Sequence, residues 1–230
     1  MKRLILFSLI VLPVFFLSIS KKASEQDKPV VDPYLSLSEA EKILKAGDIV
    51  LRMNKDPMSH YIRNFNLVDK RYSHAGIVLS KNGKLYVYDI INGPENPGER
   101  IRYEPLTDFC NPGKNTAWGI YRYDLTENEL NKMHALMNEW IQKKIVFDKA
   151  FDPDTDDALY CSEMISKMFA LSTNHRIRIN TRKPNKIEAL CLAGYAGLPL
   201  QHCLKIRMIA IEDLYLHPSC TMIKEFSNHP

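Results

Sequence analysis

Tyr72-Ser73-His74-Ala75-Gly76-Ile77-Val78-Leu79-Ser80-Lys81-Asn82-Gly83-Lys84-Leu85-Tyr86-Val87-Tyr88-Asp89-Ile90-Ile91 reads as two apolar β-forming runs around the strongest short hairpin signal, Asn-Gly. A two-residue Asn82-Gly83 loop sets Lys81 opposite Lys84, and the rest of the ladder follows. His74 then faces Ile91, and Asp89 faces Gly76. Opposed residues share a sheet face, as do residues two apart on one strand. His74 and Asp89 therefore lie diagonally adjacent on one face, within reach of a carboxylate–imidazole hydrogen bond, and Gly76 leaves room beside the ring. An edge histidine with an ordinary polar partner fits the same pattern.

Upstream of the hairpin, Ser36-Leu37-Ser38-Glu39 is a capping-box pattern for a short helix that Gly47 ends, and Asp48 to Met53 reads as a strand. Downstream, residues 92–114 are rich in glycine and proline and read as a long surface loop. Thr116 to Tyr123 reads as another strand. Thr126-Glu127-Asn128-Glu129 is a second capping box; it opens a helix with Leu130, Met133, Leu136, Met137, Trp140 and Ile141 on one stripe. The turn-rich Asp152-Pro153-Asp154-Thr155-Asp156-Asp157 leads into a helix from about Tyr160 to Leu171. A helix near 186–193 and a short strand around Arg207 to Ile211 follow. These elements make an α+β domain, an antiparallel sheet with helices packed against it.

Cys161 sits at the expected start of the helix after the Asp-rich turn. There the helix dipole and free backbone N–H groups favour a thiolate and can stabilise an oxyanion. The other four of the five cysteines, Cys110, Cys191, Cys203 and Cys220, read as small buried residues. One disulfide is open to the last three. No C-x-x-C, H-E-x-x-H or phosphate-cradling glycine loop is present, so no metal and no cofactor is expected. Asp152, Asp154, Asp156 and Glu163 echo a calcium loop, but Asp157 stands where that loop needs glycine. Ser59-His60 lacks the G-x-S-x-G elbow of a serine hydrolase.

The chain has 230 residues, enough for one domain, with 45% hydrophobic and 25% charged residues, an ordinary globular balance. Of the +4 formal charge, Lys2 and Arg3 contribute part; without them 29 basic residues face 27 acidic ones. No Lys/Arg-rich block remains, so a nucleic-acid partner is not expected. Met1-Lys2-Arg3 precedes an apolar run from Leu4 to Ile19 and a polar stretch from Lys21 to Asp27. Residues 1–20 thus have the layout of a secretory signal peptide, and an uncleaved membrane anchor through residues 4–19 accounts for the same run. The expected organisation is an export segment at 1–20, a linker at 21–35 and the domain at 36–230, in the periplasm or cell envelope.

Gly47-Asp48-Ile49, Tyr72-Ser73-His74-Ala75-Gly76-Ile77, Phe147-Asp148-Lys149-Ala150-Phe151 and Tyr160-Cys161-Ser162-Glu163 resemble, in that order, the circularly permuted papain-like amidases of the NlpC-type superfamily. Ile211-Glu212-Asp213-Leu214-Tyr215 with His217-Pro218 resembles that family's closing segment, so the likeness spans roughly residues 40–220. The resemblance implies a permuted papain-like fold, Cys161 as nucleophile and His74 as base, the histidine preceding the cysteine. The third position is usually a glutamate in such proteins; Asp89 stands there in this chain. Relatives work on cell-wall peptides or on lipid acyl groups, so the implied substrate is a peptide or acylated envelope component. Two other readings remain: a binding module that keeps the cleft but has Cys161 blocked, and an acyltransferase or thioesterase-like enzyme with an apolar groove leading to Cys161.

Overall fold

The computed structural model describes residues 32–227, so the export segment and most of the expected linker lie outside the described residues. In chain order the elements are α1 (Pro33–Ile43), β1 (Ile49–Asn54), α2 (Pro57–Ile62) with a 3-10 turn Arg63–Phe65, β2 (His74–Lys81), β3 (Lys84–Asp89), β4 (Arg102–Glu104), α3 (Leu106–Phe109) and β5 (Asn115–Tyr123). There follow α4 (Glu127–Gln142), β6 (Val146–Phe147), β7 (Ala158–Leu159), α5 (Cys161–Ser172), α6 (Lys186–Ala196), α7 (Leu200–Cys203), α8 (Ile211–Tyr215) and β8 (Cys220–Ser227). Six strands form one antiparallel sheet in the order β4-β3-β2-β1-β5-β8, and β6 and β7 make a short parallel pair. This is the expected α+β architecture.

Strand alternation divides the interior into two cores, because successive side chains point to opposite faces. Ile49, Leu51, Ala75, Ile77, Tyr88 and Ile90 meet Met133 and Met137 of α4 and Met164, Ile165, Met168 and Phe169 of α5 on one face. Val50, Val78, Val87, Trp118 and Ile120 meet Leu37 and Ala40 of α1 and Leu106 and Phe109 of α3 on the other. The hairpin closes as read: Asn82 and Gly83 have φ of 52° and 75°, as a two-residue mirror-image turn requires, and Lys81 pairs with Lys84.

Several elements differ from expectation. α1 begins before the Ser36 box, because Asp32 accepts from the Tyr34 and Leu35 amides and Pro33 fills the first helical position. The 92–114 stretch contains β4 and α3, and it buries Leu106, Phe109 and Cys110 completely or nearly so. Ile141 is exposed although its stripe partners Met133, Met137 and Trp140 are buried. Around Arg207 to Ile211 there is a single bridge, Met208 to Arg182, and then α8 begins. Finally β8 adds an edge strand that the sequence reading left out. All five cysteines are free, so the disulfide left open among the last three is absent.

Candidate active site

Cys161 is the first helical residue of α5, after an extended Tyr160 (φ −99°, ψ 167°). Amides in a helix's first turn have no intrahelical partner, so this end presents donors and a positive dipole beside the thiol. Three contacts fix the approach. Glu163 accepts the Tyr160 amide at 3.1 Å, the Ile209 amide donates to the Tyr160 hydroxyl at 2.9 Å, and the Ser162 hydroxyl donates to the Ile209 carbonyl at 2.8 Å. The segment expected as a strand is instead pinned to the start of α5, and Met208 and Ile209 line the cleft over Cys161.

His74 opens β2, against which α5 packs, and is buried. Its Nε2–H donates to Asp89 Oδ2 at 2.7 Å, the diagonal pairing that the hairpin register predicts. With Nε2 engaged, Nδ1 is the nitrogen left for the Cys161 thiol, which shares the cleft with the ring and acts on its charge. Burial pulls the imidazole's pKa down, but the Cys161 charge and the Asp89 hydrogen bond outweigh it, so the net shift is upward. Asp89 is fully buried; burial alone would raise its carboxyl, but bonds from His74 and Arg102 bring it down to about 2. The structure thus brings Cys161, His74 and Asp89 together as one chain of contacts. Ser59 lines the same cleft but bonds to Asp56 through its amide and hydroxyl rather than to the triad, and the acidic loop, whose Asp156 pairs with Lys167, is left out.

The room beside His74 is taken by Phe109, whose ring lies 5.7 Å from the imidazole. A Cβ on Gly76 would meet Val87 Cγ1 at 2.4 Å and Phe109 Cε2 at 3.3 Å, so the glycine is what admits both side chains. Arg52, opposite His74 across β1–β2, lies over the other part of the Phe109 ring at 4.3 Å and donates to the Phe109 carbonyl.

This arrangement, an imidazole held on a strand before the cysteine helix, carries the permuted order in the fold itself. Over residues 43–216 the chain matches the family described as permuted papain-like amidase enzyme, YaeF/YiiX, C92 family. The chain belongs to the C92 permuted papain-like amidases. The family is one of permuted papain-like amidase enzymes. The uncharacterized protein YiiX of Escherichia coli (strain K12) is 24% identical over 135 residues, which are 58% of this chain and 61% of that protein, under two thirds of the relative's length. The crystal structure of the metalloprotein yiiX from Escherichia coli O157:H7 shares the fold, with a TM-score of 0.62 at 21% identity over 80% of this chain and 98% of that one.

In this member of the C92 family the cleft over Cys161 and His74 is almost wholly apolar, with Phe65, Ile91, Phe147, Phe151, Tyr195 and Met208 in its wall. Phe65, Phe151 and Tyr195 pack edge-to-face with centroids 5.7–6.2 Å apart. Phe151 adopts φ of +54°, a left-handed conformation that costs a side-chain-bearing residue about 1–2 kcal/mol. Asp148 imposes it: the buried carboxylate accepts the Ala150 amide at 2.7 Å and the Asp152 amide at 2.6 Å, winding the chain around itself. The sequence motif Phe147 to Phe151 carried the resemblance without revealing this turn or that it builds the cleft wall. Arg102 was missed altogether; alternation in a three-residue strand is too short to read.

Proposed function

We propose that this protein hydrolyses an amide or ester bond through a thioester on Cys161. The contact chain Cys161–His74–Asp89 carries the reading. The thiolate attacks the carbonyl carbon, and the N–H of Cys161 at the helix start donates to the oxyanion. As the tetrahedral intermediate collapses, the His74 imidazolium protonates the leaving amine or alcohol, and the acyl group stays on sulfur. His74 then takes a proton from water, whose oxygen attacks the thioester and releases the acid and the thiol. Asp89 accepts the hydrogen bond from Nε2–H throughout, so Nδ1 faces the thiol.

The apolar wall favours a substrate with a hydrocarbon or aromatic portion next to the scissile carbonyl, so an acylated envelope component fits better than a strongly polar stem peptide. We place the protein outside the cytoplasm on the strength of residues 1–20, with residues 4–19 able to hold it at a membrane. The E. coli structure is described as a metalloprotein, yet the donors here do not suit a metal. His74 Nε2 and both Asp89 oxygens are engaged with one another and with Arg102, and among the described residues no three His, Cys, Asp or Glu side chains form a metal-holding group.

The test is iodoacetamide labelling of the folded protein at pH 6–7 followed by peptide mapping. Cys161 should be alkylated first, and His74→Ala should abolish that preference. If Cys191 or Cys220 reacts first while Cys161 stays unlabelled, the assignment falls.

A further inference from the structure

We propose that Arg102 is a positioning residue of this site: it fixes the Asp89 carboxylate in the orientation that holds the His74 imidazole toward Cys161. The proposal rests on the Cys161–His74 reading above and adds a fourth member to it. β4 pairs with β3 so that Arg102 stands directly opposite Asp89. From there Arg102 Nε donates to Asp89 Oδ1 at 2.9 Å and Nη2 donates to Oδ2 at 3.1 Å, a fork that grips both oxygens. His74 Nε2 takes Oδ2 from the other side. A carboxylate held by the imidazole alone could turn about its last bond; held at three points, it cannot.

The arginine is itself anchored. Nη1 donates to the Glu95 carbonyl at 3.0 Å, and Nη2 lies 3.5 Å from Glu104 and 3.7 Å from Glu95 carboxylates. Arg52, buried beside His74, faces the same two glutamates at 3.6 and 3.4 Å. The charges around the imidazole are therefore Asp89, Arg102, Arg52, Glu95, Glu104 and the Cys161 thiol. Two arginines against three carboxylates leave the His74 side with negative charge to spare, which favours an imidazolium. β4 is only three residues long, and delivering Arg102 and Glu104 to this face is what it contributes to the site.

A merely structural Arg102 would neutralise a buried carboxylate and do no more. Its loss would lower the melting temperature without altering Cys161 chemistry in the folded protein. A positioning Arg102 makes a different prediction, read as the iodoacetamide rate at Cys161 against pH in the full chain. Arg102→Met should lower the rate at pH 6 by about 10-fold and move the acid limb to higher pH, with convergence on the parent above about pH 9, where thiols ionise unaided. Arg102→Lys, which keeps the charge but loses the fork, should fall between the two. Because Arg102 acts through Asp89, adding Arg102→Met to Asp89→Asn should change the rate less than about 2-fold. The proposal is overturned if both Arg102 variants keep the parent profile, or if the two losses multiply. Should Arg102→Met fail to fold, Arg102→Lys decides on the same profile. An unchanged profile in His74→Ala would instead sink the Cys161–His74 reading itself.

Discussion

Asp89 has a short arm, and it reaches His74 because the hairpin brings the strands to the right register. Replacing it with asparagine removes the charge and lets the ring adopt the wrong tautomer. In serine triads that exchange costs about 10⁴-fold in turnover. A cysteine at a helix N-terminus depends less on its base, so Asp89→Asn should cost on the order of 10–100-fold, against near-complete loss for Cys161→Ala or His74→Ala. The same carboxyl, held at about 2 against an ordinary value near 3.9, contributes stability that is present above pH 4 and lost as pH falls toward 2. Acid titration followed by circular dichroism should show a shallower decline between pH 4 and 2 in Asp89→Asn than in the parent. This pair was legible beforehand because one dipeptide, Asn82-Gly83, sets the register of everything on both strands. Arg102 was not, since nothing local marks which arginine of a turn-rich stretch will land opposite which aspartate.

α5 carries a second ionisable group that the chemistry does not consume. Burial lifts the Glu163 carboxyl to about 8, more than Lys167 at 3.0 Å and the Tyr160 amide bring it down. A carboxyl raised on folding contributes stability fully present below its unfolded pKa of about 4.3 and lost as pH climbs toward 8. Thermal melts of the parent should thus fall in Tm from pH 5 to 8, and Glu163→Gln should flatten that slope while still capping the Tyr160 amide. A slope unchanged in the variant would mean that Glu163 is ionised throughout. Capping chemistry was a mixed guide at this scale. The Thr126 box opens α4 as read, with Thr126 and Glu129 bonding reciprocally. The Ser36 box lost to Asp32-Pro33, a stronger start four residues earlier. β8 escaped notice because among its alternate residues only Phe226 is buried, stacked on Trp118, so the period of two hardly shows.

Across the whole molecule, the antiparallel sheet with helices against it was readable as a class from the apolar runs of β1, β2 and β3, whereas the division into two cores was not. The apolar cleft was not, because its wall is assembled from the 3-10 turn, the Asp148 turn, α6 and the segment before α8, which meet only in three dimensions. Among the described residues no helix is long and apolar enough to cross a membrane. Fractionation of cells producing the full chain should recover it with the envelope or the periplasm. Recovery in the cytosol at full mass would remove the export proposal and leave the site untouched.

The hairpin that joins His74 to Asp89 has one more consequence, in time rather than space. The two partners are separated by fifteen positions and linked by a turn that closes on its own, so little chain entropy opposes their meeting. Cys161 emerges from the ribosome much later, at the head of a helix that must find the sheet across β5 and α4, and synthesis proceeds at roughly 5–20 residues per second. The imidazole and its carboxylate can therefore be in register for seconds before a nucleophile exists to be activated. A nascent or half-unfolded chain holds the base without the thiol and is chemically silent; hydrolytic competence arrives only with the docking of α5 and of the later segment that pins its start, rather than as a property of the hairpin alone.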